Sequence, residues 1–397
     1  MKKADLVSLF FSGVMAFSLL IPNFMSYKTS RIAFGDPISA HDCFGSMIGV
    51  LYLWVAAFII LAFIKQKRHP LNLFTGLFAA VSLAVFLRAV SLSFESGAFD
   101  AGGNARMSFG FGFLLVVISL YSIMVKCVEC TDGIILKTLI PIVALALVVF
   151  FLARGEFNNY SVMREYQTAE KQFMTHLWEH VSISVWVLIA AVIIGVPMGY
   201  MCYKHKVFDA VTLIGLSVTE VLPMLALFAI IRMPYIFLRE HVPLLKEMGL
   251  GGYGAAPAFT ALLLYALYLI IHNARAAFST VDYTLIENAR AMGMTPRDVI
   301  MRVEIPIALP VILSGIRITM ISAIVGATLA SYIGAGGLGT YIVNGINSLS
   351  IDLQLLGVIP IFFLTVIADA VIRLLAYFLL PMPGRWKISH DFFEKYF

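Results

Sequence analysis

Residues 287–293 read Glu287-Asn288-Ala289-Arg290-Ala291-Met292-Gly293, and the chain runs on from there to Pro306 and Pro310. Eight charges lie between Arg275 and Glu304, in a sequence that is 60% hydrophobic and 13% charged. Burying them in hydrocarbon at about 2.5 kcal/mol each would cost roughly 20 kcal/mol. The stretch is therefore an insert facing water or protein, set between apolar segments that cross a membrane.

Its residues punctuate two short helices. Thr284, three residues before Glu287, fits a capping box, and Gly293 supplies the left-handed turn that stops the first helix. Thr295 can cap the second, Pro296 takes the first helical position where a missing N–H costs nothing, and Asp298 lies near the positive end of the dipole. Pro306 is expected to end it. Leu285, Ala289 and Met292 are expected on one face of the first helix, and Val299, Ile300 and Val303 on one face of the second. Four Arg against two Asp and two Glu leave the insert neutral, which argues against an anionic lipid surface and for a protein groove.

Mean hydropathy is +0.92. Ten apolar runs can cross about 30 Å of hydrocarbon, near 6–24, 45–64, 71–90, 109–125, 137–153, 181–203, 210–231, 257–273, 308–330 and 353–380. The fold class is an all-α polytopic membrane protein of about ten transmembrane helices. Glu220 and Pro223 interrupt the run at 210–231, so it can also begin as an interfacial helix. With the N-terminus inside, sixteen Lys and Arg fall on inner segments and nine on outer ones, which puts the insert and both termini in the cytoplasm. Lys2 and Lys3 before the apolar stretch from Leu6 read as an uncleaved first span, because no small-residue cleavage site follows closely.

A polar segment near 154–173 divides the chain. Residues 1–153 hold five spans with short loops; 174–381 hold five more, with Pro197, Pro223, Pro257, Pro306 and Pro310 and the glycines from Gly334 to Gly339; 382–397 form a cytoplasmic tail. Function is expected in the second half.

There the residues resemble a known family. Glu287-Asn288-Ala289, Gly293 six residues after Glu287, and Val303-Glu304-Ile305-Pro306 beyond are similar to the ATPase-coupling loop of permease subunits in type I ABC importers, whose pattern is Glu-Ala-Ala, then Gly, then Ile-x-Leu-Pro. Asn288, Val303 and Ile305 depart from it mildly. The resemblance spans roughly 171–381. The blocks from Ala308 to Arg317 and from Ile333 to Gly339 look most like the branch that imports osmoprotectants such as glycine betaine, choline or carnitine. Glu220 stands where that branch has Gln.

The resemblance implies a MetI-like transmembrane core in the C-terminal five spans, in the inner membrane, with N-terminal spans as an accessory extension. It implies four partners: a cytoplasmic ABC ATPase that receives the hairpin, a second permease identical or paralogous to this one, an extracytoplasmic substrate-binding protein, and a small-molecule cargo. The chain itself is then no enzyme, and no cofactor, metal ion or nucleic acid is implied. The sequence contains no Gly-x-x-x-x-Gly-Lys-Ser/Thr run for a nucleotide. An importer for amino acids or other small solutes stays open within this reading, and an ion-coupled secondary transporter outside it.

Other motifs admit plainer readings. Gly334, Gly336 and Gly339 spell G-x-G-x-x-G, with Gly337 among them, but no strand precedes them as a dinucleotide site requires; a glycine turn at the outer mouth of a pore fits better. His176, Glu179 and His180 spell the inverted zinc-peptidase signature without the soluble domain and third ligand it needs; an interfacial helix with Trp178 at the headgroups accounts for them. Cys127 and Cys130 form a lone C-x-x-C expected in a short cytoplasmic loop. Asp369 and Arg373 can pair within the last span, and Arg317 can snorkel inward. Glu220, beside the helix-breaking Pro223, is a candidate pathway residue.

Overall fold

The computed structural model describes residues 5–29, 35–64, 69–95, 106–131, 134–243, 247 and 250–379. Lys2, Lys3 and the tail at 382–397 lie outside the described residues. The chain forms two compact units, Met1–Thr168 and Ala169–Phe397.

In the first unit, α1 (Leu6–Ser18), α2 (Ala40–Phe44), α3 (Ile48–Phe63), α4 (His69–Glu95), α5 (Phe111–Glu129) and α6 (Ile134–Ala153) accompany three short strands: β1 (Met25–Lys28), β2 (Asp36–Ile38) and β3 (Arg106–Phe109). The strands make an antiparallel sheet in the order β2-β1-β3, with Met25 opposite both Ile38 and Phe109. Hydropathy does not predict this sheet, because strands of three or four residues leave no periodic signal. Its core is aromatic. Trp54 stacks on Phe86 at 5.8 Å and donates its indole N–H to Ser82 at 2.9 Å, and Phe24 and Phe58 are fully buried beside it.

Ion pairs tie the elements of this unit together. Asp5 caps α1 by accepting from the Ser8 N–H and also receives the Lys126 ammonium. Burial raises the Asp5 carboxyl pKa, but the bonds from Lys126 and Ser8 outweigh it and hold the carboxyl below its usual range. Arg106 meets the buried Glu165 at 2.6 Å. Cys127 and Cys130 are both free thiols, yet Cys127 lies inside α5 and is buried rather than in a loop.

Among the described residues, the regular structure of the second unit is helical. It comprises α7 (Ser161–Lys204), α8 (Lys206–Val221), α9 (Met224–His241), α10 (Ala255–Ser279), α11 (Tyr283–Ala291), α12 (Pro296–Val299), α13 (Ile305–Ala330), α14 (Gly339–Asn347) and α15 (Ile351–Leu379). α7 begins before the division and is kinked at Ala169, which leaves helical geometry, so the segment expected as a linker is helical from Ser161 on either side of that residue. α10 and α13 pack through small residues, with Ala258, Ala261, Ala266, Ala323, Ala327 and Ala330 buried among them. Small side chains let two apolar helices approach closely where dispersion, not water exclusion, holds them.

Among the described residues seven helices are long and apolar enough to cross a membrane, and the pair α8 and α9 makes an eighth if counted as one span. Beside them, Leu6–Ser18 and, within α6, Thr138–Ala153 are apolar stretches of helix, and α8 meets α9 at 115°. Pro223 causes that bend. It has no N–H to continue the ladder and forces Leu222 into extended backbone, at ψ 132°.

Arg317 does not snorkel. It pairs with Asp369 of α15, whose other oxygen holds Arg373 at 2.8 Å, so one carboxylate joins α13 to α15.

Candidate functional site

The polar insert is a hairpin whose shape is set by backbone hydrogen bonds. Asp282, not Thr284, caps α11: its carboxylate accepts from the Thr284 N–H at 2.9 Å, and that bond keeps the acid below its usual pKa range. No capping box forms with Glu287, which is exposed. At the other end Gly293 has φ +84°. Its N–H reaches the Arg290 carbonyl at 2.9 Å, and the Met294 N–H reaches Ala289 at 3.2 Å. These two bonds are the Schellman closure, which needs a left-handed residue at this point.

Thr295 then caps α12, accepting from the Asp298 N–H at 3.3 Å while its hydroxyl donates to the Asp298 carboxylate at 2.6 Å. Pro306 does not end the second helix, contrary to expectation. Residues 300–304 form a π turn in which the Ile305 N–H bonds the Ile300 carbonyl, and the chain continues into α13 with Pro306 in its first turn. The wider turn gives the pyrrolidine ring the room that a regular turn denies it.

Burial divides the hairpin's apolar residues differently from the helical-wheel reading. Ile286, Ala289 and Val299 are buried against Ala277, Phe278, Val281, Ala308 and Ile312. Leu285 and Met292 are exposed instead of sharing the Ala289 face, and with Tyr283 and Met301 they leave four large apolar side chains uncovered. Glu287, Asn288, Gly293 and Pro306 are exposed near them, while Val303 and Ile305 are half-buried. The exposed surface is thus apolar with charged neighbours, the composition of a protein-docking patch.

One residue that the sequence reading counted only as a charge anchors the hairpin. Glu304 is 1% exposed; it accepts from the Tyr200 hydroxyl at 2.9 Å and the Lys204 ammonium at 2.7 Å. Lys204 also lies over the Tyr203 ring at 4.7 Å, and Tyr200 meets Phe278 edge-on at 4.9 Å. A lone Glu in an amphipathic segment gives no signal of this. Its partners are a hundred residues away and meet it only when α7 packs beside α13.

The glycine turn after α13 is a second constellation. Gly334, Gly336 and Gly337 have φ of +76°, +75° and +81°, and Gly339 opens α14. The Gly337 N–H donates to the Glu179 carboxylate at 2.9 Å, and His176 Nδ1 lies 2.8 Å from the same oxygen. His180 is buried and bonds the Ile324 carbonyl through Nε2 at 3.1 Å. The two histidines are thus spent on different partners, and only Trp178 keeps the exposed setting expected of an interfacial helix. A Cβ on Gly336 would clash with a Glu179 carboxylate oxygen. Gly336→Val, which adds both that clash and a strained φ worth about 1–3 kcal/mol, is expected to abolish most uptake; an unchanged initial rate would count against any role for the turn.

Glu220 and Pro223 are exposed at the bend between α8 and α9.

Residues 191–381 match the family described as the binding-protein-dependent transport system inner membrane component, and residues 3–163 match the N-terminal domain of the ABC transporter permease YehY. The chain is 35% identical to the carnitine transport permease protein OpuCB of Listeria monocytogenes, over 56% of its own length and 94% of that protein's.

The chain belongs to the binding-protein-dependent inner membrane permeases.

It is a multi-pass inner-membrane permease subunit of an ABC importer, not itself an enzyme. This permease is also 35% identical to the choline transport system permease protein OpuBB of Bacillus subtilis, over 52% of this chain and 88% of the other. It is similar to the same degree to the osmoprotectant import permease protein OsmW of Salmonella typhimurium, over 52% and 89%. A solved structure of the MetNI methionine ABC transporter aligns with 54% of this permease and 99% of its own chain, at 20% identity and a TM-score of 0.46.

Proposed function

We propose that the permease carries a quaternary-amine osmoprotectant, of the class of glycine betaine, choline or carnitine, delivered by an extracytoplasmic binding protein and driven by a separate cytoplasmic ATPase. What supports the cargo is the carnitine, choline and osmoprotectant transport for which relatives that the chain matches over most of their length are named. What supports the motor is the hairpin, whose exposed Tyr283, Leu285, Met292 and Met301 need a protein cover that no lipid supplies for a charge-rich segment.

In this reading Glu287, Asn288, Ala289, Gly293, Val303, Ile305 and Pro306 form the ATPase-docking element, and the Lys and Arg distribution sets it and both termini on the cytoplasmic side. Residues 174–381 are the translocating domain, 1–153 an accessory membrane region, 154–173 the segment between them and 382–397 the tail. Two permeases, identical or paralogous, enclose the path. Glu220 and Pro223 line it at a broken helix, and Gly334, Gly336, Gly337 and Gly339 shape its outer gate.

Uptake tests the cargo. In cells lacking other importers, the permease co-expressed with its ATPase and binding protein is expected to accumulate labelled glycine betaine, choline or carnitine, with unlabelled proline a poor competitor. Strong competition by amino acids, with no quaternary-amine uptake, would assign a different cargo.

A further inference from the structure

His176, Glu179 and His180 share one face of α7 by their i, i+3, i+4 spacing, and that face meets the chain where α13 runs into α14. Three residues before His176, Phe173 lies 6.0 Å from the ring of Tyr341, and His176 meets the same ring edge-on at 5.5 Å. His180, buried, bonds the Ile324 carbonyl of α13, and a side chain on Gly337 would come within 3.2 Å of its Nδ1. Glu179 accepts the Gly337 N–H itself. The signature without a third zinc ligand is thus a set of contacts to one segment, the glycine turn and the helices on either side of it.

That turn is hard to hold by its own residues. Gly334, Gly336 and Gly337 all take positive φ, and glycine gives up more backbone freedom on being fixed than any other residue. Hydrogen bonds reach it from other segments near both ends. At one, the Gly254 N–H donates to the Ile333 carbonyl at 2.8 Å; at the other, the Gly337 N–H donates to Glu179 at 2.9 Å. The two differ in kind. The first joins backbone to backbone, whereas the second depends on a side chain that is 40% exposed and has water to rotate into. Gly337 is buried, so its N–H has no water to replace the carboxylate when that side chain leaves. His176 opposes the rotation. Its Nδ1 lies 2.8 Å from the same Glu179 oxygen that accepts from Gly337, and bonds to a charged acceptor are roughly twice as strong as neutral ones.

We propose that Glu179 is a positioning residue of the outer gate: its carboxylate latches the glycine turn to α7 through the Gly337 N–H, His176 orients that carboxylate, and the latch holds the turn closed between transport cycles. This role rests on the reading of the turn as a gate. It also accounts for bare backbone at Gly336 and Gly337, where a Cβ would press on Glu179 and His180.

The test uses the whole importer in proteoliposomes, with labelled glycine betaine as probe, and hydrogen exchange at the Gly337 amide in the same preparation. Glu179→Leu is expected to speed that exchange about tenfold or more. It is also expected to lower the glycine betaine carried per ATP hydrolysed about fivefold, while ATP hydrolysis continues. Glu179→Gln, whose amide oxygen still accepts the Gly337 N–H, should recover part of both. His176→Leu should have a smaller effect, and Glu179→Leu with His176→Leu no larger effect than Glu179→Leu alone, because His176 then has no carboxylate to orient. Wild-type exchange at Gly337 in Glu179→Leu, or faster exchange with an unchanged ratio of cargo to ATP, overturns the latch. Loss of the chain from the membrane in Glu179→Leu and Glu179→Gln alike also overturns it, by assigning the carboxylate to folding. Full uptake by Gly336→Val overturns the gate reading instead. A wild-type importer that carries no glycine betaine overturns the cargo reading, and exchange at Gly337 then decides the latch.

Discussion

Gly293→Val is expected to cut ATP-driven uptake by about tenfold or more while the chain inserts and accumulates in the membrane as before. The residue sits at φ +84°, where a β-branched side chain is a steric outlier and the strain is of order 1–3 kcal/mol. Two hydrogen bonds depend on that conformation, from Gly293 to Arg290 and from Met294 to Ala289. Relieving the strain rotates α11 against α12 and so separates Leu285 and Met292 from Met301, which together make the exposed apolar surface. The membrane helices have no part in this turn, so insertion should persist. Uptake and ATPase rates measured on the same proteoliposomes decide it. A variant that keeps the wild-type ratio of cargo moved to ATP consumed would remove the hairpin's shape from the coupling mechanism. Gly293→Asn, which tolerates the left-handed region, should retain much of the activity.

Glu304→Ala has the other large expected effect, for a different reason. The carboxylate is buried and holds two donors, the Tyr200 hydroxyl and the Lys204 ammonium. Removing it strands Lys204 near two aromatic rings and leaves the Tyr200 hydroxyl unpaired. Breaking a buried pair by deleting one partner costs about 3–5 kcal/mol, and the side chain of Lys204 is 30% exposed, so about 3 kcal/mol is the better figure. The loss falls where the π turn meets α13, so the hairpin should detach from α7 before the membrane core is harmed. Limited proteolysis is expected to cut the variant between Asp282 and Glu304 faster than wild type, with uptake reduced in parallel. Lys204→Ala should be comparably costly, because it leaves the buried Glu304 charge with only the neutral Tyr200 hydroxyl, whereas Lys204 can still reach water. Equal protease resistance in Glu304→Ala and wild type would show that the carboxylate is dispensable.

The two substitutions separate kinds of legibility. Gly293 was readable because a helix C-terminus demands a left-handed residue and glycine supplies it locally. Thr295, Pro296 and Asp298 were readable on the same ground, and the structure bears out the Thr295 cap and the place of Pro296. Structure and local pattern part where two patterns compete for the same backbone groups. Thr284 and Glu287 satisfied the capping-box spacing, but Asp282 stood two residues earlier and took the same backbone N–H. Pro306 looked like a stop, and a π turn with one more residue per hydrogen-bonded ring absorbed it. Leu285 and Met292 fell on the exposed side because the stripe that α11 presents to α10 and α13 runs through Ile286 and Ala289.

By itself the sequence determined that this is a polytopic membrane protein with a charge-rich hairpin between spans, since the cost of placing charges in hydrocarbon is a property of composition and order. It also carried the resemblance to the family, because Glu287-Asn288-Ala289, Gly293 and Val303-Glu304-Ile305-Pro306 lie close together along the chain. Only the tertiary structure decided which charges are paired. Glu304 with Lys204, Arg317 with Asp369 and Glu179 with the Gly337 N–H join positions 100, 52 and 158 residues apart. Such pairs leave no periodicity to read. They exist because helix packing brings the groups together where water is scarce, and there an acid without a partner has to find one.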